Sequence, residues 1–269
     1  MTTSQKILKY IAIAFAILLI IIIISAISKG IFLTSMIFDK KDSQKPLENP
    51  KTYQLSQSIT ELDIELSDIN LNIKSGDSFY VETNAKDISV KEKQNKLTIK
   101  DENSISALKS NLVVTIYIPD NLVMSKADIQ TGAGKIYIQA LTADQIDFDL
   151  GAGEVTIDKI ISNFKTEIEG GAGKITINDG MLCNVDCDMG VGEVNISSAF
   201  IGSSTFNQGI GKANLNISED KSLYTLNINK GIGKATVDGN EVANGTVIGD
   251  GAKIITINGG VGEIEVDFK

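Results

Sequence analysis

Six carboxylates recur at fixed offsets before a glycine phrase: Asp147, Asp149, Glu167, Glu169, Asp186 and Asp188. Paired carboxylates do the acid and base work of glycan hydrolysis, and hard oxygen ligands suit Ca²⁺ or Mg²⁺. Each pair brackets one apolar residue, Phe148, Ile168 or Cys187, so along an extended strand both acids point away from the side that residue occupies. If the copies stack, Asp147, Glu167 and Asp186 form one outward column and Asp149, Glu169 and Asp188 a second. Like charges at strand spacing repel, so the same pattern fits a solvated acidic face relieved by water and salt. Straight rows do not converge on a point, whereas tight Ca²⁺ binding needs six to eight oxygens from several directions. The expectation is at most a weak divalent-cation or cationic-ligand surface, with no cofactor and no catalytic residue.

Composition narrows the chemistry further. The chain has no His, no Trp and no Arg, so the side chains most used for proton shuttling, indole stacking and bidentate phosphate clamping are missing. Six of the 25 lysines but only Asp39 and Asp42 of the 34 acids precede residue 46. The remainder carries 19 against 32, about −13, which repels nucleic acid and anionic lipid. Cys183 and Cys187 are the only cysteines; four residues of strand span about 13 Å, beyond disulfide reach, and without His they lack the partners of a zinc site. Both are expected to be core thiols. The phrase Glu169-Gly170-Gly171-Ala172-Gly173-Lys174 has Ile175 where a calcium nonapeptide needs Asp and a phosphate loop needs Ser or Thr.

The elements that would carry these side chains are strands. From residue 59, segments such as ITELDIELSDINLNIKSGD, KLTIKD and LVVTIYIPD alternate apolar and polar residues around turn signals. Near Thr131 the composition changes: 22 of the 24 glycines lie from Gly132 to Gly262, and no proline follows Pro119. Gly-x-Gly pairs recur as Gly132 and Gly134, Gly151 and Gly153, Gly171 and Gly173, Gly190 and Gly192, Gly209 and Gly211, Gly231 and Gly233, and Gly260 and Gly262. The steps between the first five pairs are 19 or 20 residues. Each copy continues charge, apolar, polar, apolar, as in GAGKIYI, GAGEVTI and GVGEVNI. The glycines suit corners where neighbouring backbones approach or φ is positive.

One such coil cannot bury its apolar face alone, but stacked in-register coils bury a continuous column. The expected fold is all-β, a parallel β-solenoid of about 19-residue coils. A charge column supports the register: Lys135, Glu154, Lys174, Glu193, Lys212, Lys234 alternates over its first five members, and opposite charges on adjacent strands attract. The degenerate Gly251-Ala252-Lys253, with the next pair nine residues later, is expected to be a capping coil.

A single transmembrane helix is expected before the solenoid. Tyr10 to Ser28 is a run of 19 uncharged residues, about 28 Å as a helix, which matches a bilayer core. The organisation expected is therefore 1–38 with the helix at about 10–28, a tether at 39–52 (DKKDSQKPLENPKT), an N-terminal strand region at 53–130 and glycine-punctuated repeats at 131–269. Lysine counts flanking the helix favour the C-terminus inside, yet long domains translocate largely regardless of flanking charge. An acidic β domain behind an anchor is expected outside the cell membrane.

The recurring GAGKI, GAGEV and GVGEV phrases, with DINLNIKSGD before them, resemble a bacterial β-strand-repeat family of unknown function whose members are provisionally labelled adhesins. The resemblance covers roughly residues 55–269 and implies a parallel β-solenoid, often behind an N-terminal membrane helix, with no active-site motif to carry over. A non-enzymatic, membrane-anchored surface binding module with an envelope or cell-surface ligand is the expected function. An envelope scaffold or stress component that self-associates through its coil ends is the alternative, and a glycan-active enzyme is a third.

Overall fold

A computed structural model describes residues 50–101 and 112–269. The helix expected at 10–28 and most of the tether lie outside the described residues. Among the described residues no helix is long and apolar enough to cross a membrane.

The strands follow from the alternation. In chain order they are β1 (Lys51–Gln54), β2 (Glu61–Leu66), β3 (Asn70–Gly76), β4 (Tyr80–Thr83), β5 (Ile88–Lys93), β6 (Lys96–Asp101), β7 (Val113–Pro119), β8 (Met124–Thr131) and β9 (Lys135–Ile177), a strand that continues through its own glycine corners. Then come β10 (Gly180–Cys183), β11 (Val185–Ile201), β12 (Ser203–Ile217), a short 3₁₀ turn at Lys221–Leu223, β13 (Tyr224–Asn229), β14 (Ile232–Val237), β15 (Asn240–Glu241), β16 (Thr246–Ile248) and β17 (Lys253–Phe268). All join one sheet. Alternate residues point inward and stack by type: Ile64, Ile129 and Phe148 form one column, and Ile168, Cys187, Phe206, Ile257 and Ile228 continue the same series. Past the glycines, Ile175, Val194, Ala213, Ile264 and Ala235 form a second. These side chains are 4% exposed or less, and each large one contributes about 1.5–3 kcal/mol by leaving water.

The all-parallel solenoid is corrected by the pairing, because the sheet is mixed. The inner strands run parallel, in the orders β6-β2-β8-β9-β11-β12-β17-β13 and β7-β3-β9-β11-β12-β17-β14. Both ends are antiparallel: β5 on β6 and β1 on β4 on β7 at one, β16 on β13 and β15 on β14 at the other. A stack of parallel coils ends in open edges, which template pairing with other chains. A two-residue hairpin folds the chain back over its own last coil, and Asp238-Gly239, at φ 49° and 72°, does this between β14 and β15 with the residue pair that a type I′ turn favours. The outermost strands are short (β15, β16) or charged, as at Lys91, Glu92 and Lys93.

The last coil is not a cap. β17 is last in the chain but lies inside the stack, between β12 on one side and β13 and β14 on the other. The place of Gly233 is corrected with it. Chain order would stack Gly233 on Gly211, but Gly262 of β17 pairs with Gly211, and Gly233 pairs with Gly262 one rung further out. The charge column therefore reads Lys174, Glu193, Lys212, Glu263, Lys234, and the break at its end disappears.

Candidate binding face

The six predicted carboxylates sit on the face before the glycine corner, in two columns. In the first, Asp128 pairs with Asp147 and Glu167 with Asp186, and Asp63 extends it beyond Asp128. In the second, Gln130 pairs with Asp149 and Glu169 with Asp188. The columns differ in how their charge is met. Lysines two residues earlier on the same strand face share the first: Lys126 Nζ is 2.8 Å from Asp128 and 3.9 Å from Asp147, and Lys165 Nζ is 2.6 Å from Glu167. Lys96 closes on Asp63 at 2.6 Å. Asp147 is still held above the usual carboxylate range, first by burial and then by Asp128, against the pull of Lys126.

Among the described residues no lysine pairs with Asp149, Glu169 or Asp188. This column instead runs into amides. Asn207 Nδ2 donates to Asp188 Oδ1 at 2.6 Å, Asn258 to Asn207 at 2.7 Å, and Asn229 to Asn258 at 2.9 Å. The one-way ladder exists because β17 enters the stack, so that Asn258 stands between Asn207 and Asn229. The sequence carried the signal, since all six residues stand two places before a glycine pair; the stack order of the last two is what alternation does not reveal.

Beside this column runs a shallow groove of about 860 Å³. Its wall carries Asp149, Glu169, Asp188, Asn207 and Asn258, and its floor is the backbone of Gly151, Gly171, Gly190, Gly209 and Gly260. Five rungs at the usual strand spacing make it roughly 19 Å long. Under the floor, large and small side chains alternate: Met189 Sδ occupies the space over Gly170, and the buried Gln208 donates to the carbonyls of Gly192 and Ile210 at 3.2 Å each. No side chain but glycine fits the corner itself. At Gly211, φ is +139° and an added Cβ would lie 1.7 Å from the Gly192 carbonyl oxygen; Gly262 stands the same way over Gly211. The floor glycines stack nearly as closely, since an added Cβ at Gly171, Gly190, Gly209 or Gly260 would lie 2.5, 2.6, 2.3 or 2.1 Å from the carbonyl oxygen of the glycine one rung back, so the floor stays free of side chains. Gly233 makes the same close approach, to the Gly262 carbonyl oxygen at 1.8 Å from an added Cβ, one rung further out.

Both cysteines are buried and free. Cys187 packs between Ile168 and Phe206, and burial, with Asp188 and Asp186 nearby, pushes its thiol up to about 12. Among the described residues no three acids or cysteines are grouped to hold a metal ion. Each carboxylate in a column is one rung from the next, and the columns stay straight.

No family profile and no curated protein matches the chain. Solved structures do. One from Clostridium sporogenes, provisionally named a cell adhesion protein, shares 14% identity at a TM-score of 0.37, covering 82% of this chain and 99% of its own. One from Bacteroides fragilis, provisionally named an adhesin, shares 15% at 0.40 over 81% and 95%. One from Parabacteroides distasonis, provisionally named a lipid binding protein, shares 12% at 0.36 over 80% and 96%.

Proposed function

We propose that the chain is a non-enzymatic binding module displayed on the cell surface, anchored through residues 10–28, and that it holds an extended hydroxyl-rich polymer along the glycine-floored groove. The observation that carries this is the groove's wall: carboxylates and amides repeated once per rung over five rungs of the stack, beside a floor without side chains. Carboxylates accept hydrogen bonds from hydroxyls and amides both accept and donate, and a linear polymer can meet the same group again at each step. A flat site of this kind gains affinity by repetition. Acid and base catalysis on a glycan would need two carboxylates facing across a bound bond, whereas these acids share one wall. The scaffold alternative, with association through coil ends, is disfavoured by the short or charged antiparallel strands that close both ends.

Residues 47–269 form one compact unit and should bind insoluble envelope polysaccharide in a sedimentation assay. Glu169→Lys with Asn207→Ala should abolish that binding without unfolding the domain. Equal retention of wild type and variant would refute the groove as the site. Protease added to intact cells should remove the domain; protection until lysis would refute surface display.

A further inference from the structure

The antiparallel segment that closes the far end of the stack covers the strands of the last rung but not its corner. β16 pairs with β13 only at Leu226, Asn227 and Ile228, and β15 with β14 only at Thr236 and Val237. Between those two strands the chain crosses directly: the Val242 N–H donates to the Ala235 carbonyl and the Gly245 N–H to the Ile228 carbonyl, both at 2.9 Å. Ala243 and Asn244 alone thus bypass the stretch from Asn229 to Lys234. Gly231, Ile232, Gly233 and Lys234 are all exposed, Ile232 by 75%. Ile232, Gly233 and Lys234 pair with β17 on their inner side, and among the described residues no strand pairs with their outer side. A short sheet edge is therefore left open, and open edges template the addition of another strand.

The rungs beneath specify what this edge accepts. Gly211 stands on Gly192, Gly262 on Gly211 and Gly233 on Gly262, each with an added Cβ only 1.7–1.8 Å from the carbonyl oxygen below. Gly231 stands on Gly260 in the same way, at 2.0 Å. No glycine stands on Gly231 or Gly233 themselves. A parallel segment added there needs glycine at both positions, because any Cβ would strike a carbonyl oxygen. The charge after the corner is specified too. Lys135, Glu154, Lys174, Glu193, Lys212, Glu263 and Lys234 alternate in sign from rung to rung. Glu263 is within 3.8 Å of Lys212, and among the described residues the terminal Lys234 makes no ion pair. Only an acid on the next rung continues the alternation.

We infer that the open corner is a docking edge for an extended Gly-x-Gly-Asp or Gly-x-Gly-Glu segment of a second polypeptide, which adds as one more parallel rung. A folded second copy of this chain cannot donate it. Its own phrases of that kind, Gly151–Glu154, Gly190–Glu193 and Gly260–Glu263, each already lie between two rungs. The crossing at Ala243 and Asn244 confines the added rung to the length of the corner, so the contact is far below the size of a stable complex and is weak and reversible.

The test titrates a peptide of residues 256–265, TINGGVGEIE, into the isotope-labelled full chain in detergent micelles and follows backbone amide signals by NMR. Signals of Gly231, Ile232, Gly233 and Lys234 should shift saturably, while that of Gly192, at an inner corner, stays in place. A Gly262→Ala peptide should bind at least about tenfold more weakly. A Glu263→Lys peptide should also bind wild type more weakly and recover on Lys234→Glu protein, which in turn should lose affinity for the unmodified peptide. The peptide variants leave the folded protein untouched. Absence of a saturable shift, an alanine peptide that binds equally well, or a charge swap without recovery would overturn the docking edge. Corner signals that shift with protein concentration alone would make a second copy the occupant and overturn the assignment as well.

Discussion

Lys212 and Glu263 are direct neighbours on parallel strands, Nζ 3.8 Å from Oε2, and Lys234 flanks the same glutamate from the other side. Chain order would have set the two lysines side by side. Glu263→Lys recreates that conflict and places three lysines in a row, so it should destabilise by on the order of 1 kcal/mol, with partial recovery on adding Lys212→Glu. Denaturant unfolding of the four members of the cycle measures the coupling, and additivity would contradict the register. Lys212 also reaches Glu265 at 2.8 Å, which tempers the loss. These groups are exposed, so high salt should shrink the effect.

Two glycines with positive φ should respond very differently to alanine. Gly211→Ala drives a Cβ to 1.7 Å from a carbonyl oxygen at φ +139°, whereas Gly239, at φ +72°, has nothing within 4 Å. The first should cost on the order of 3 kcal/mol or more because a neighbouring backbone must move. The second should cost about 1–2 kcal/mol, the ordinary left-handed penalty. Similar midpoints in thermal or denaturant unfolding would show that the corners do not touch.

Residue type revealed faces and spacing but not direction or order. Alternation marks the inward residues of Tyr80–Thr83 and Lys96–Asp101 equally well whether the strand beside them runs parallel or antiparallel, since either direction keeps a period of two. The antiparallel ends were therefore invisible, although Asp238-Gly239 is a hairpin signal in plain view. The corner glycines and the two acidic columns were legible because each copy repeats them at one offset. Which corner adjoins which was not: Gly233 follows Gly211 in the chain yet meets Gly262 in the stack. The groove was hidden for the same reason, since Asn258 reaches Asn207 only by a strand that returns into the stack. A sign error in a column, such as Lys212 followed by Lys234, is the trace that such a return leaves in a sequence.

The junction where β17 enters is held by a partly buried polar cluster that should make stability acid-sensitive. Lys253 Nζ is 2.5 Å from Glu219 Oε2, the buried Tyr224 hydroxyl donates to the same carboxylate, and the Phe200 N–H donates to Tyr224 Oη at 3.1 Å. Burial would raise the Glu219 pKa, but hydrogen bonds from Lys253 and Tyr224 and the Lys253 charge outweigh it, and the carboxyl sits below its ordinary 4.5. A depressed folded pKa contributes stability above the unfolded value and loses it as pH falls from there through the folded value. Wild type should therefore weaken below about pH 4.5 by a component that Glu219→Gln lacks, while at neutral pH the variant should be less stable by about 1–2 kcal/mol. Parallel stability–pH curves for the two proteins would show that Glu219 contributes nothing.

Divalent cations should bind the carboxylate columns only weakly, and folding should not need them. Asp149, Glu169 and Asp188 supply oxygens on successive rungs of one column, with Asn207 already donating to Asp188, whereas a tight calcium site gathers six to eight oxygens at about 2.3–2.6 Å around one point. Two stacked carboxylates and water can still hold an ion loosely and relieve their mutual repulsion. Binding to the folded state alone raises the melting temperature through linkage, so millimolar Ca²⁺ should shift it slightly upward. The shift should vanish in Asp149→Asn, Glu169→Gln, Asp188→Asn protein. The lysine-laced column of Asp147, Glu167 and Asp186 should contribute less, because Lys126 and Lys165 already stand where an ion would go. Asp147, whose raised pKa reflects burial and Asp128 more than Lys126 offsets, tests this separately: its charge opposes folding above the raised pKa, so Asp147→Asn should stabilise slightly at neutral pH with or without Ca²⁺. Thermal unfolding with Ca²⁺ and with chelator decides it. Unfolding by the chelator, or a calcium dissociation constant in the micromolar range or tighter, would mean that the columns converge in solution and that a structural metal holds this face together.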